Sequence, residues 1–384
     1  MLSKRVSDVS ESATVAMSNI AAAMRKEGKE VINFGIGEPD FSTPEPIIDY
    51  AFQKAREGFT HYTPSRGYPE LRDLIIRSVA PEGTGYLTRE NVLVTPTKFA
   101  INLSYLSIAD AGDEIIIPEP YYLSYPEIGN LYGIKPVCVQ SNDDFSLNMD
   151  NIENAITPKT RGVIISNPSN PTGKVFSRDQ IKQLQKLCID EDIYFIVDQI
   201  YEKLVYEGSI QNPLELDPEM KNTILMSGFS KSYAMTGWRV GYMVSNRELI
   251  NAADRFQQQT ITCAPSISQM AAIKALSDLE SPVMMRNIFR QRLEKIVSLA
   301  EEIEGLTLNR PEGAFYIFPG YDMNLSSVEF CQQALARKGL ILTPGSVFGS
   351  QGEKHFRISY ATDERTIERG MAMLKEFVEE MSKI

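Results

Sequence analysis

The sequence is poor in the residue types that build metal centres, disulfide frameworks and catalytic triads. Its 384 residues include only two histidines, His61 and His355, and one tryptophan. The four cysteines are far apart, form no CxxC pair and have no histidine close by in sequence: Cys138, Cys188, Cys263 and Cys331. This pattern argues against a zinc site and against a secreted disulfide framework. We therefore expect no metal centre.

The chain also lacks an excess of positive charge and any long apolar run. Lys and Arg number 39 against 50 Asp and Glu, a net charge of -11, whereas proteins that bind nucleic acids or anionic membranes are usually basic. No apolar run approaches the roughly 18 residues that a membrane span needs. The opening MLSKRVSDVSESATVAM has no signal-peptide pattern. We predict a cytoplasmic protein that binds neither nucleic acid nor membrane.

Short apolar runs alternate with amphipathic stretches, which is typical of an α/β protein. Six runs are interpreted as buried strands: Val92–Thr95, Glu114–Pro118, Pro136–Val139, Gly162–Ser166, Tyr194–Asp198 and Thr223–Ser227. Helix candidates, such as Phe99–Ala109 and Arg178–Asp190, lie between most of them. Unbroken apolar strands separated by helices predict a mainly parallel sheet that is covered on both faces and binds ligands beyond the carboxyl ends of its strands.

The length predicts more than one domain, because 384 residues exceed what one hydrophobic core usually serves. After about Ser281 the pattern changes to a long charged helix, two strands and a closing helix, at Val283–Glu302, Ala314–Phe318, His355–Tyr360 and Glu364–Ser382. An N-terminal helix ending at Gly28 is expected to pack on this part. The predicted division is an N-terminal segment joining the smaller domain, a large domain and a smaller α/β domain, at residues 1–45, 46–280 and 281–384.

The segment SGFSKSYAMTGWRVGY, Ser227–Tyr242, carries the most informative chemistry. Lys231 lies between two serines in a glycine-bounded turn, and Arg239 follows in the same segment. A lysine and an arginine beside hydroxyl groups can bind a phosphate, and a lysine can form a Schiff base with an aldehyde. Pyridoxal 5'-phosphate has both groups. On position alone Lys231 would be interpreted as a solvated surface lysine, so the rest of the chain decides.

Polar side chains that follow two other predicted strands support this chemistry. Asp198 ends the run YFIVD, where its carboxylate could pair with a protonated pyridine nitrogen or cap the next segment. Tyr201, about one helical turn further on, could donate to a ring oxygen. The sequence NPSNPTG predicts a rigid turn directly after the strand at Gly162–Ser166. This turn would hold Asn170 at the edge of the sheet, where it could bond a ring hydroxyl.

Three further positions have both a structural and a functional interpretation. Thr97 opens a helix in TPTK, where amide groups and a hydroxyl favour a phosphate, although an ordinary N-cap explains it too. Tyr122 offers an aromatic face for a pyridine ring but could be a core tyrosine. Arg357 lies inside the strand-like HFRISYAT, and its planar fork suits either a carboxylate ligand or a structural ion pair.

Together these motifs resemble the signature set of the class I/II aminotransferases, pyridoxal-phosphate enzymes of fold type I. The motifs are GFSKSYAMTGWRVGY, NPSNPTG, DQIY at 198–201 and FRISYAT, and NFGIGEPDFSTPEPI and HYTPSRGYPELR match as well. The similarity runs in one register from about Ser3 to the C-terminus and is strongest toward prokaryotic aspartate aminotransferases. It implies a large domain whose mainly parallel, seven-stranded type of sheet lies between helices, plus a smaller α/β domain.

The resemblance also implies a role for each matching residue. Lys231 would form the internal aldimine and act as general base, and Asp198 would pair with the pyridine nitrogen, with Tyr201 as the third catalytic residue. Asn170 and Tyr201 would contact the ring hydroxyl. The other cofactor contacts implied are Tyr122 stacked on the ring and, around the phosphate, Thr97, Lys98, Ser230 and Arg239.

Substrate and partner contacts follow from the same resemblance. Gly37 and Arg357 would hold the substrate α-carboxylate, with Asn170 assisting and Tyr122 nearby. Tyr62 would reach the phosphate of the neighbouring subunit, because family members share their sites across a homodimer. In some members a lysine matching Lys98 also binds a distal carboxylate, and Thr14 lies near a second such contact. The resemblance therefore favours a ping-pong reaction in which aspartate donates the amino group and 2-oxoglutarate accepts it.

Some residues depart from the family pattern, and some alternatives stay open. Pro96-Thr97 replaces a frequent Gly-Gly or Gly-Ala, Gly228 replaces a phosphate-binding serine of some members, and Gln199 replaces a frequent glutamate. Lys98 could neutralise phosphate only, and donors of aromatic or alanine type remain possible. The same residues would serve a pyridoxal-phosphate lyase, and a non-catalytic module that binds the cofactor is the remaining alternative.

Overall fold

The structure is a computed structural model that describes residues 20, 23, 24, 26, 28, 30–80 and 85–383. Thr14, and most of the helix predicted to end at Gly28, lie outside the described residues. The strands of the described part are β1 (Ile32–Asn33), β2 (Val92–Thr95), β3 (Glu114–Glu119), β4 (Lys135–Gln140), β5 (Thr160–Ser166), β6 (Tyr194–Asp198), β7 (Thr223–Gly228), β8 (Gly241–Val244), β9 (Leu306–Thr307), β10 (Tyr316–Ile317), β11 (Gly320–Tyr321), β12 (Leu340–Ile341), β13 (Thr343–Pro344) and β14 (Phe356–Ser359). The α-helices are α1 (Glu45–Arg56), α2 (Pro69–Val79), α3 (Thr97–Ile108), α4 (Ser124–Tyr132), α5 (Met149–Asn154), α6 (Arg178–Asp190), α7 (Arg247–Thr260), α8 (Ser266–Ser277), α9 (Glu280–Glu301), α10 (Ser327–Lys338) and α11 (Glu364–Met381).

A seven-stranded sheet, in the order β2-β8-β7-β6-β5-β3-β4, forms the centre of the molecule. The pairs among β3 to β7 are parallel, and β8 is antiparallel to both of its neighbours. The prediction of a mainly parallel α/β sheet is therefore confirmed, and the six predicted strands occur within one or two residues of their expected bounds. β8 was not among them, because its four residues GYMV begin with a glycine and give only a weak strand signal.

Both faces of this sheet are covered by apolar side chains. Along β5, Val163 and Ile165 enter one hydrophobic core whereas Ile164 enters another. Successive side chains of a strand point to opposite faces, so a strand covered on both faces must be apolar at every position. The unbroken apolar runs of the sequence have this structural cause.

The strand directions bring four strand ends to one edge of the sheet. β2 runs in the same direction as β7, because β8 is antiparallel to each of them. The final residues Thr95, Ser166, Asp198 and Gly228, of β2, β5, β6 and β7, therefore share one edge. This is the edge where open α/β sheets bind their ligands.

A further hydrophobic core lies beyond this edge and defines a second unit of the fold. It is formed by α9 and α11 with the short strands β10 and β14, and residues of β6's following turn, such as Leu204, join it. β1 pairs in parallel with β12, so the segment before α1 packs on this second unit. The predicted division at residues 45 and 280 stays a prediction, which this distribution of cores supports.

Two absences hold for the described residues. No helix among them combines the length and the apolar character needed to cross a membrane. No group of three or more His, Cys, Asp or Glu residues in the described ranges is arranged to hold a metal ion.

Candidate active site

A cavity of about 380 Å³ lies at the carboxyl edge of the sheet, where the second unit faces it. Of the twelve residues predicted for the site, eleven line this cavity: Gly37, Thr97, Lys98, Tyr122, Asn170, Asp198, Tyr201, Ser230, Lys231, Arg239 and Arg357. The twelfth, Tyr62, lies outside it and is 88% exposed. Residues from seven separate stretches of the chain therefore meet in one place, at the edge where the parallel strands end.

Lys231 presents its amine inside the cavity from the turn that follows β7. Its Nζ donates a hydrogen bond of 2.6 Å to the carbonyl oxygen of Gly37. Burial lowers the pKa of Lys231 to about 8, and the positive charges of Arg357 and Arg239 act in the same direction, against Glu38 and Asp198. Because a neutral amine is a nucleophile and a base, this lysine is far better prepared for covalent and proton-transfer chemistry than an exposed one.

Asp198 is a buried carboxylate at the end of β6, with a donor on each oxygen. Its Oδ1 accepts from the amide of Ile200 at 3.1 Å, and its Oδ2 accepts from the hydroxyl of Tyr125 at 3.2 Å. The bond to Ile200 shows that the residue does cap the segment after the strand. Burial raises the pKa of Asp198 to about 6, partly offset by these donors and by Lys231. At neutral pH it is a desolvated anion that a cationic partner would stabilise.

Arg357 and Asn170 are joined across the cavity wall. Arg357, on β14, donates through Nη1 to Oδ1 of Asn170 at 2.9 Å and through Nη2 to the carbonyl oxygen of Gly35 at 2.8 Å. Its guanidinium lies between two aromatic rings, 4.5 Å from Tyr316 and 5.1 Å from Phe348. The hydrogen-bond acceptors recorded for it in the described ranges include no carboxylate, so the alternative of a structural ion pair is wrong for these residues.

The start of α3 packs tightly against the ends of β7 and β8. The Thr97 hydroxyl donates to the carbonyl oxygen of Ser227 at 3.2 Å. A Cβ added at Gly241 or Gly228 would lie 2.1 Å or 2.5 Å from Oγ1 of Thr97. Glycine at 228 is therefore a steric requirement of this arrangement, because a serine hydroxyl has no room there. The free amides of the helix N-terminus, with Ser230 nearby in the lining, suit an anion.

Lys98 and Arg239, two cations at the cavity mouth, have fewer side-chain hydrogen bonds within the described ranges than Asp198 and Arg357. Lys98 is exposed on the first turn of α3, and Arg239 is exposed in a left-handed backbone conformation with φ of 53°. Nη1 of Arg239 donates to the carbonyl oxygen of Thr236 at 2.8 Å. Tyr122 is partly buried and makes an edge contact with Tyr125 at 5.5 Å between ring centroids. All three line the cavity, as their predicted roles require.

Three residues at or beside the cavity were missed by sequence reasoning. Glu38 lines the mouth and accepts from the Thr236 hydroxyl at 2.9 Å. Tyr125 contacts Asp198, and the Tyr316 hydroxyl lies 2.8 Å from that of Tyr201. Tyr125 follows Tyr122 by three residues in the segment PYYLSY, and this proximity to a predicted site residue could have drawn attention to it. Tyr316 carried no such signal, because only the fold brings β10 to Tyr201.

The donor set fits pyridoxal 5'-phosphate. The cavity offers an amine of lowered pKa for the aldehyde and a buried carboxylate for the pyridine nitrogen. A helix N-terminus with hydroxyl groups faces the same space and suits the phosphate. Lysine, carboxylate and phosphate site are the three fixed points that this cofactor needs.

Comparisons with known proteins agree with this chemistry. The model of the family "Aminotransferase class I and II" matches residues 29–374. An aspartate aminotransferase of Geobacillus stearothermophilus is 38% identical, over 98% of this chain and 99% of its own length. The (5-formylfuran-3-yl)methyl phosphate transaminase of Methanocaldococcus jannaschii is also 38% identical, over 98% and 100%.

A solved structure gives the same result for the fold. The aspartate aminotransferase of Thermus thermophilus with maleate superposes with a TM-score of 0.93 at 33% identity, covering 98% of this chain and 99% of its own. Its fold is the predicted fold type I, with the seven-stranded sheet described above. The family model, the relatives and the fold agree over nearly the whole chain, which therefore belongs to the class I and II aminotransferases, enzymes that use pyridoxal 5'-phosphate.

Proposed function

We propose that this enzyme transfers the α-amino group of an L-amino acid, preferably aspartate, to a 2-oxo acid, preferably 2-oxoglutarate, with Lys231 as covalent anchor and general base. The bound cofactor supplies an aldehyde for the amino group and a ring that accepts the electrons of the Cα–H bond. The remaining chemistry, which binds the substrate, orients it and moves its proton, belongs to residues of this chain.

One observation carries the assignment of roles. The short stretch 35–37 bonds to both key cations: the Gly37 carbonyl holds Nζ of Lys231, and the Gly35 carbonyl holds Nη2 of Arg357. A carboxylate on Arg357 thus brings its own α-carbon toward the lysine amine. An amino acid has its carboxylate and its reacting proton on the same carbon, and this arrangement suits that geometry.

The other residues take roles that match their contacts. Asp198 holds the proton of the pyridine nitrogen, because a buried anion favours the cationic ring. Asn170 orients Arg357 and, with Tyr201, faces the ring hydroxyl. Tyr122 would stack on the ring, and the phosphate would be held by Thr97, Ser230, Arg239 and Lys98. Lys231 abstracts the α-proton as a neutral amine, which its lowered pKa favours.

The choice of aspartate rests on the mouth of the cavity. Lys98 is an exposed cation there and could bind a second carboxylate at the distal end of the substrate. A relative named for aspartate supports this choice, as does a similar structure with maleate, a dicarboxylate. An equally identical relative named for a furan phosphate shows that identity alone does not fix the substrate. Donors of aromatic or alanine type are therefore the second candidates.

We also propose a homodimer in which Tyr62 reaches the neighbouring site. Tyr62 is 88% exposed and outside its own cavity, yet its loop is firmly held. Arg66 bonds to Asp254 at 3.0 Å and to Glu90 at 3.1 Å, and Gln269 bonds to Thr63 at 2.9 Å. A rigid loop that presents an exposed tyrosine suits a contact with a second copy.

A transamination assay with a panel of donors tests the proposal. The purified holoenzyme is incubated with 2-oxoglutarate and aspartate, alanine or phenylalanine, and glutamate, ammonia and pyruvate are quantified. We expect stoichiometric glutamate without ammonia, and the highest kcat/KM for aspartate. A higher kcat/KM for alanine or phenylalanine would assign the second candidates. Ammonia without glutamate would favour the lyase chemistry, in which an elimination releases the amino group and no 2-oxo acid accepts it.

A further inference from the structure

Tyr316 is a buried tyrosine on β10 that contacts three groups of the proposed site. Its hydroxyl oxygen lies 2.8 Å from that of Tyr201, and its ring lies 4.5 Å from the guanidinium carbon of Arg357. A Cβ added at Gly37 would lie 2.5 Å from the same hydroxyl, so the Gly37 backbone closes this side. Tyr316 therefore touches the expected binding groups of both cofactor ring and substrate carboxylate.

The direction of the bond between the two tyrosines matters. Burial raises the pKa of both Tyr201 and Tyr316, so each hydroxyl keeps its proton at neutral pH. Two protons and one shared hydrogen bond mean that one proton points elsewhere. If Tyr316 donates to Tyr201, the Tyr201 proton is available to an acceptor in the cavity, which both residues line.

The surroundings of Tyr316 favour it as the donor. In the described part of the chain the hydrogen-bond partner recorded for its hydroxyl is Tyr201. Arg357, over its ring, has no acceptor atom. The positive charge of Arg357 opposes the rise in the pKa of both hydroxyls, but it ranks directly after burial for Tyr316 and behind the contacts with Tyr316 for Tyr201. The pKa of Tyr201 is therefore raised further, and the hydroxyl of Tyr316 is the better donor. A buried hydroxyl without an acceptor is destabilising, and donation to Tyr201 satisfies it.

We propose that Tyr316 is a positioning residue whose hydroxyl donates to Tyr201 and thereby directs the Tyr201 proton to the ring oxygen of the cofactor. This inference rests on the proposed function, which places that oxygen beside Tyr201. Hydrogen bonds in a chain strengthen one another, so Tyr316 makes Tyr201 a stronger donor. A donor to the ring oxygen favours its anionic form and lowers the pH at which the bound cofactor loses its proton.

The test is a spectrophotometric pH titration of the bound cofactor in the holoenzyme. The midpoint of its visible absorbance change is compared in the wild type, Tyr201→Phe, Tyr316→Phe and the double variant. We expect Tyr201→Phe to raise the midpoint by about one unit, because a bond to a charged oxygen is lost. Tyr316→Phe should raise it by roughly 0.3 unit, the share expected of a cooperative partner. The double variant should match Tyr201→Phe.

A matched control separates this effect from loss of a buried hydroxyl in general. Tyr360 is equally buried in the same unit, and its hydroxyl donates to the Ala314 carbonyl at 3.2 Å. Tyr360→Phe should leave the midpoint unchanged. Tyr316→Leu, which also removes the ring beside Arg357, should raise both the midpoint and the KM for amino acids, whereas Tyr316→Phe should leave KM unchanged.

Three results of this titration would contradict the proposal or a part of it. A lowered midpoint in Tyr316→Phe would mean that Tyr201 donates to Tyr316 in the wild type, which overturns the proposal. An unchanged midpoint in both Tyr316 variants, with a raised one in Tyr201→Phe, overturns the role of Tyr316 alone. An unchanged midpoint in Tyr201→Phe would show that Tyr201 does not donate to the ring oxygen. It would overturn that part of the proposed function as well.

Discussion

The inner wall and the mouth of the cavity differ in how firmly their side chains are held. On the inner wall, Asp198 and Asn170 are 5% exposed and Arg357 is 2% exposed, and each has a fixed partner. At the mouth, Ile36 is 37% exposed, and the cation of Lys98 reaches into solvent. The firm wall suits the chemistry that all family members share, and the open mouth suits the part of the substrate in which they differ.

This difference explains why the comparisons identify the family and the reaction of this chain but leave its substrate open. Preorganised groups are costly to rearrange, so the reaction and its cofactor follow from the family. An exposed cation contributes little binding energy and is easily changed. Two relatives with the same 38% identity accordingly carry names with unrelated substrates. The following predictions test this contrast, in order of decreasing effect.

Replacement of Lys231 should have the largest effect. Lys231→Ala removes the proposed covalent anchor and base, so kcat should fall by at least about 10³-fold for every donor. Some cofactor should remain bound, because Asp198 and the phosphate site are unchanged. Steady-state kinetics and absorbance of the dialysed protein measure both quantities. Lys221→Ala, at an exposed lysine, is the control, and full transamination by the Lys231 variant would refute its role.

Replacement of Arg357 should affect every donor equally. Arg357→Lys keeps the charge but loses the planar fork, and loss of one charge-assisted hydrogen bond should raise KM by about 10- to 100-fold. Because every amino acid has an α-carboxylate, aspartate and alanine should suffer alike. A loss confined to aspartate would instead place its distal carboxylate on Arg357 and reverse the assignment of wall and mouth.

Replacement of Lys98 should be smaller and selective. Lys98→Ala should lower kcat/KM for aspartate by about 5-fold, as expected for a partly solvated ion pair, and leave alanine within about 2-fold. Lys98→Arg keeps the charge and should retain most of the activity with aspartate. Equal losses with both donors would assign Lys98 to the cofactor phosphate alone.

Replacement of Asp198 should stabilise the cofactor-free protein, in contrast to the losses of activity expected for the replacements above. The folded-state pKa of Asp198 is about 6, above its ordinary 3.8. The folded protein therefore binds more protons between these values, and this residue makes stability fall as pH rises from about 4 to about 6. Asp198→Asn should raise the free energy of unfolding at pH 7.5 by about 1–3 kcal/mol, with a smaller gain toward pH 4.

Urea titrations of both proteins at several pH values measure this difference. Binding of the cofactor should weaken in the same variant, since the proposed partner of this buried charge is the pyridine nitrogen. A variant that is less stable than the wild type at pH 7.5 would show that the neighbours of Asp198 already stabilise its charge. In that case the buried charge of Asp198 would not lower the stability of the folded protein.

Features of the fold and of the site that depend on residues close together in sequence could be predicted, whereas features that depend on contacts between distant residues could not. Lys231 and Asp198 were found because local motifs place each beside a strand end, and strand ends meet at one edge. Tyr316 was missed because only the packing of β10 brings it to Tyr201. β8 was missed because four residues starting with glycine give a weak strand signal. The role of Tyr62 stays a prediction, because its proposed contact needs a second chain.

Covalent trapping of the cofactor tests the central claim most directly. Treatment of the holoenzyme with borohydride reduces the bond between lysine and cofactor to a stable amine, and peptide mass spectrometry then locates it. We predict the added mass of the reduced cofactor on the peptide that contains Lys231. The same mass on Lys98 or on another lysine, with Lys231 unmodified, would contradict the account.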